Sequence, residues 1–157
     1  MDINWSYKNK SRVFDTKENG GVPYLSFKAL DDTGLAVNGF STRMGGASRG
    51  KFSTMNFSYS RGDAAEDVLE NFTRMAAALG VERDRMVVSH QTHTVNLRRV
   101  TLEDAGKGVI RERDYRDIDG LITDVPGLTL VTFYADCVPL YLLDPVNRAI
   151  GLSHSGW

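Results

Sequence analysis

Apolar and polar positions alternate over short runs along most of this chain, with one long helical period among them. From Tyr24 the pattern predicts two strands, Tyr24–Phe27 and Ala36–Ser41. The segment Arg43-Met44-Gly45-Gly46-Ala47-Ser48-Arg49-Gly50 follows, too rich in glycine for a helix interior or a central strand. The strongest element is a helix over about 64–79, in which Val68, Leu69, Phe72, Met75, Ala76 and Leu79 recur on one face. Asp63 is its expected N-cap, with Glu66 as capping-box partner, and Gly80 its left-handed stop. Beyond it the chain reads as strands at Met86–His90, Val95–Val100, Gly120–Thr123, Leu128–Tyr134, Pro139–Leu143 and Ala149–Ser153. The turn Asp144-Pro145-Val146-Asn147-Arg148 joins the last two as a hairpin. Several of these runs are almost continuously apolar, as in strands covered on both faces. Residues 1–23 are polar, close with Gly20-Gly21 and Pro23, and read as a loose arm or an edge hairpin. Residues 24–157 form the body. Strands dominate, so the fold class is α+β, a layered mixed sheet with helix packed against it.

Composition narrows the function classes. The length of 157 residues suits one domain with a sizeable core. Lys+Arg number 19 and Asp+Glu 20, a net charge of -1, so no basic excess is present to hold a nucleic-acid backbone. A single cysteine excludes an intramolecular disulfide framework and fits a reducing compartment. The start, Met-Asp-Ile-Asn-Trp-Ser, lacks the pattern of a secretion signal, and the apolar stretch 127–135 is too short and polar to span a bilayer. A cytoplasmic protein with no nucleic-acid or membrane partner is expected; the oligomeric state is not legible.

The candidate chemistry lies at strand ends. His90 and His93 follow one expected strand, Cys137 stands between two others, and His154 ends the last. Each could be an ordinary core or surface residue, but together they are the chain's whole imidazole and thiol inventory, gathered where loops build sites on a rigid sheet. Two chemistries compete. One Cys and two His make the three-ligand set of a catalytic zinc with an open position; alternatively, Cys137 is a nucleophile whose thiolate fraction is raised by His154 or His93. The hydroxyls, guanidinium and backbone N–H groups of Ser41-Thr42-Arg43-Met44-Gly45-Gly46 suit an anion, or else form a plain surface turn. Asp136 and Asp119 are candidates to orient a histidine or to act as a general base.

Taken together, several segments resemble the first half of the YfiH family, also called the polyphenol oxidase or laccase-domain family. They are Ser41 to Ser48, Met55-Asn56-Phe57, Gly62-Asp63 with Asn71 in the helix, Gln91-Thr92-His93, Asp119 to Thr123, Ala135-Asp136-Cys137-Val138-Pro139 and His154-Ser155-Gly156-Trp157. The resemblance runs from about residue 38 to the end and implies a fold of the YfiH/cytotoxic necrotizing factor-like type, strand-rich with helices packed outside. It implies zinc on His93, Cys137 and His154, with His90 not carried over, and leaves copper possible. The implied activity is phosphorolysis of adenosine, inosine, guanosine and methylthioadenosine together with deamination of adenosine, with copper-dependent polyphenol oxidation as a side activity. Its partners are purine nucleosides and phosphate. Arg43, Gly45, Gly46 and Asn56 are the expected substrate and phosphate contacts, and Asp136 joins the three ligands as a catalytic residue. The family's pattern continues past the tryptophan where this chain stops, so the chain resembles a C-terminally truncated member. A metal-free Cys/His hydrolase or amidase, and a non-catalytic metal-binding fragment, are the alternatives.

Overall fold

The computed structural model describes residue 6 and residues 12–156. Strands β1 (Phe14–Asn19) and β2 (Val22–Phe27) form an antiparallel hairpin through Gly20 and Gly21, both at positive φ, as a two-residue hairpin turn requires. Residues 14–19 therefore take the hairpin alternative, and the ladder runs across residue 23; residues 1–5 and 7–11 of the expected arm lie outside the described residues. A short helix, α1 (Lys28–Asp31), follows, and then β3 (Phe40–Ser41), antiparallel to β2. The strand expected over Ala36–Ser41 keeps only its last two residues. Asn38 is turned to side-chain bonding instead: its Oδ1 accepts the Phe27 N–H at 2.7 Å and its Nδ2 donates to Asp31 at 2.8 Å.

Helix α2 (Ala65–Leu79) lies where the periodicity places it and ends on Gly80 at φ 71°. Its start differs from expectation: Ala64 is the N-cap, with no side-chain cap and no capping box. Asp63 is engaged elsewhere, Oδ1 accepting the Ala64 N–H and Oδ2 the Asn56 amide. One flank of α2, Val68, Phe72 and Ala76, packs on Met86, Val88 and Val109; the other, Met75 and Ala78, packs on Val22, Tyr24 and Met55. Burial of a side chain the size of Phe72 stabilises by about 1.5–3 kcal/mol, so this two-sided contact binds the hairpin sheet to the rest of the molecule.

The remaining strands are β4 (Met86–Val88), β5 (Leu97–Arg99), β6 (Gly120–Thr123), β7 (Thr129–Val131), β8 (Val138–Asp144) and β9 (Ala149–Ser155). β4 and β7 pair in parallel, while the other four form a sheet in the order β5-β6-β9-β8, with only β5 and β6 parallel. Between the two sheets lies a second core of Val87, Val100, Leu121, Leu128, Leu130 and Leu152. Met86 and Val88 meet α2 while Val87 faces this core, so β4 is the continuously apolar, two-sided strand the sequence led one to expect. β8 is not. Leu140 and Leu142 are 44% and 51% exposed, and with Val138, Leu97 and Ile122 they line the open face of the four-stranded sheet. Thus only one face of this sheet carries the core. Among the described residues no helix is long and apolar enough to cross a membrane.

Candidate metal centre

Strand direction brings the candidate ligands together. β4 and β7 are parallel, so the segments leaving their C-terminal ends emerge at one edge; the first carries His93 and the second Cys137. β9 runs antiparallel to both β6 and β8, and its register sets Ser153 opposite Gly120 and His154 opposite Pro139. His154 thereby lies beside Asp119, just ahead of β6, and near Cys137, just ahead of β8. One donor atom each from His93, Cys137 and His154 lie within 4.8 Å of one another, Cys137 Sγ standing 3.7 Å from His93 Nε2. The two imidazoles meet edge to face, with centroids 4.8 Å apart. An ion with bonds of about 2.0–2.3 Å in tetrahedral geometry needs donors about 3.3–3.8 Å apart. The residues present fit such an ion after a small contraction. Gly156 keeps the space clear, since a Cβ there would come within 3.3 Å of the His93 ring.

Asp119, 1% exposed, organises the two histidines. Its Oδ1 accepts the His93 N–H at 3.0 Å and faces His154 Nδ1 at 2.9 Å; its Oδ2 accepts the N–H groups of Thr92 at 3.0 Å and Thr94 at 2.9 Å. Three successive amides converging on one carboxylate form a nest, and that geometry puts His93 at φ 64°, a backbone region rare outside glycine. Burial pushes the Asp119 carboxyl up, but the amides of Thr94 and Thr92 and the His154 ring outweigh it and hold it well below the carboxylate range. With Nδ1 of His154 donating to this carboxylate, Nε2 is left as the lone-pair donor. The Cys137 thiol is raised, by burial first and then by the charge and hydrogen bond of Asp136. A free nucleophilic cysteine needs the opposite shift.

Over residues 37–157 the chain matches the family model described as multi-copper polyphenol oxidoreductase laccase. The chain belongs to this family. It is 37% identical over 126 residues to a purine nucleoside phosphorylase, YlmD, of Geobacillus stearothermophilus, a match covering 78% of this chain and 45% of that protein. The crystal structure of YlmD from Geobacillus stearothermophilus superposes with a TM-score of 0.79 at 36% identity, covering 92% of this chain and 53% of that one. The Bacillus licheniformis hypothetical protein YfiH gives the same TM-score at 31% identity, over 90% and 52%. The chain thus spans about half the length of the relatives it matches. Membership of the laccase family and the His-Cys-His cluster both point to a metal.

His90 stands apart from the cluster, bridging to Ile118 and accepting the Asp117 N–H on Nδ1 at 3.0 Å. Arg43 is exposed, its Nη2 donating to Ser53 O. Gly46 donates its N–H to Thr54 Oγ1 at 3.1 Å, and a Cβ there would lie 2.0 Å from Thr54 O; a Cβ on Gly45 would lie 2.5 Å from Gly21 O. Both glycines therefore serve close backbone packing. Asn56 braces its own loop through Asp63 and Ser58. The glycine-rich loop is anchored by Asn71, fully buried, which bonds Ala47 N, Ser48 Oγ and Asn56 O. An asparagine among the apolar positions of α2 was the signal for that role. Tyr134 is a further neighbour of the centre, its ring packed against His154 and stacked on Phe40; nothing in the sequence pattern marked it.

Proposed function

We propose that this chain carries the metal centre of a zinc-dependent purine nucleoside phosphorylase with adenosine deaminase activity, acting on adenosine, inosine, guanosine and methylthioadenosine. The observation that carries the reading is the His93–Cys137–His154 donor cluster, backed by Asp119, in a chain whose relatives are named purine nucleoside phosphorylases. Two imidazoles and a thiolate make a three-donor set, and the exposed His93 leaves one side of the cluster open to substrate. Bound there, zinc supplies Lewis acidity and water activated near neutral pH. The chain's own groups do the rest. Asp119 fixes the His154 tautomer and the His93 loop. Asp136, beside the Cys137 thiol, takes a proton from the attacking group and returns it to the leaving one. Arg43 is assigned to the phosphate, through its exposed guanidinium. In phosphorolysis a phosphate oxygen bonds the ribose C1′ as the bond to the purine nitrogen breaks; in deamination water adds to the purine ring and ammonia leaves.

The three donors gathered within 4.8 Å support this reading over the metal-free hydrolase. Copper is another ion this donor set accepts, and polyphenol oxidation would accompany it. The test is metal content after purification without added metal, with phosphate-dependent release of hypoxanthine from inosine, for the wild type and Cys137→Ala. About one zinc per chain is expected, lost in the variant together with turnover. Metal and activity retained by Cys137→Ala overturn the ligand set, and stoichiometric copper with diphenol oxidation overturns the zinc reading.

A further inference from the structure

We infer that Gln91 is a positioning residue for the centre, setting Cys137 against His93 by continuing the β4–β7 ladder with its side chain. The inference rests on the metal reading above. The backbone pairing of β4 with β7 ends at Val88 opposite Val131, followed by one more bond from Ser89 N to Val131 O at 3.0 Å. His90 then turns away to exchange both its backbone bonds with Ile118, so the strand leaves its partner just before the two ligands are reached. Gln91 bridges that gap. Its Oε1 accepts the Phe133 N–H at 2.8 Å, and its Nε2 donates to Phe133 O. A primary amide presents the same donor and acceptor pair as a peptide unit, so Phe133 is satisfied as though the ladder went on. Ser89 Oγ donates to the same Oε1 at 2.9 Å and fixes the orientation of the amide.

The link joins two ligand segments that no described strand pairing connects at this point. His93 lies two residues beyond Gln91 and Cys137 four beyond Phe133. Between Phe133 and Cys137 stands Tyr134, whose hydroxyl donates to Ser153 O at 3.1 Å and whose ring packs on His154. Asp119 ties His93 to His154, and Gln91 ties His93 to the segment of Cys137. Without the Gln91 amide, residues 132–137 are held on this side chiefly by Tyr134, and the thiolate is no longer presented at a set distance.

The test compares wild type with Gln91→Ala and with Gln91→Glu, which keeps the acceptor for Phe133 N–H but sets a carboxylate against Phe133 O. Zinc affinity is measured by chelator competition, the thiolate-to-metal charge-transfer band after cobalt loading, and amide hydrogen exchange in the metal-free protein. Expected for Gln91→Ala are a 10–100-fold loss of zinc affinity, a weakened cobalt–thiolate band, and faster exchange confined to Phe133 and residues 132–137. Gln91→Glu is expected to fall between Gln91→Ala and wild type, and it decides the matter alone if Gln91→Ala does not fold. A folded variant with wild-type affinity, cobalt band and Phe133 exchange overturns the inference. A wild-type chain that takes up neither zinc nor cobalt overturns the metal reading instead. The exchange measurement then still decides the Gln91 link: unchanged protection at Phe133 rejects it.

Discussion

Truncating Asp119 to alanine tests the centre's architecture independently of any metal. The substitution removes the acceptor for the amides of Thr92, His93 and Thr94, for the Thr94 hydroxyl at 3.0 Å and for His154 Nδ1. Hydrogen bonds to a charged group contribute about 1.5–3 kcal/mol each, but they do not simply add. Thr92 and His93 are exposed and rehydrate on losing the carboxylate, whereas His154 is buried and does not. Relief of the positive φ at His93, a strain of about 1–3 kcal/mol, offsets part of the loss. A net destabilisation of about 3–5 kcal/mol follows, a large share of the roughly 5–15 kcal/mol that holds a domain together. The assay is urea unfolding of the metal-free protein at neutral pH, with a fall in Tm of roughly 6–20 °C as a check. Nitrogen-15 shifts of His154 add a local readout: the wild type carries its proton on Nδ1, and the variant becomes a mixture of tautomers. A loss below about 1 kcal/mol with an unchanged His154 tautomer would refute the assignment of Asp119 as the organiser.

Two further outcomes follow from other parts of the molecule. Burial pushes the Asp104 carboxyl up, but the Lys107 ammonium, the Thr101 N–H and Arg98 outweigh it and bring it down to about 2 from the ordinary 3.8. A depressed carboxylate contributes stability above its unfolded value, so about 2 kcal/mol is lost as pH falls from about 4 to about 2. Unfolding free energies measured across that window are expected to lose this slope in Asp104→Asn; an identical acid profile would reject the ion cluster. Gly46→Ala sets a Cβ 2.0 Å from Thr54 O, backbone that cannot turn aside. The expected cost is about 1–3 kcal/mol or more, read from the urea midpoint, and a neutral result would show that the loop packs more loosely than the structure has it.

The elements set by local pattern were legible in the chain itself. The face of α2 from Val68 to Ala76, its stop at Gly80, the strand Gly120–Thr123 and the turn at Asp144 all follow from period, backbone permissiveness and short-range hydrogen bonding, which a sequence states directly. The motifs around His93, Cys137 and His154 were legible too, as residue types at strand ends. Their meeting was implied by the family resemblance but not by the residue pattern alone, because it depends on which strands pair and in which direction: β4 parallel to β7, and β9 antiparallel to both β6 and β8. Strand ends shifted for the same reason: β4 stops short of His90, where the backbone leaves β7 for Ile118, while β8 and β9 run past their expected ends to Asp144 and Ser155. The N-cap moved from Asp63 to Ala64 because Asn56 holds the Asp63 carboxylate, a contact no helix rule contains. Asp119 could be named as a candidate, but its hold on two segments far apart in sequence, like the bridge made by Gln91, exists only once tertiary pairing has closed. Side chains that link separate strands carry no periodic signature, since their partners are chosen by the fold rather than by their neighbours in the chain.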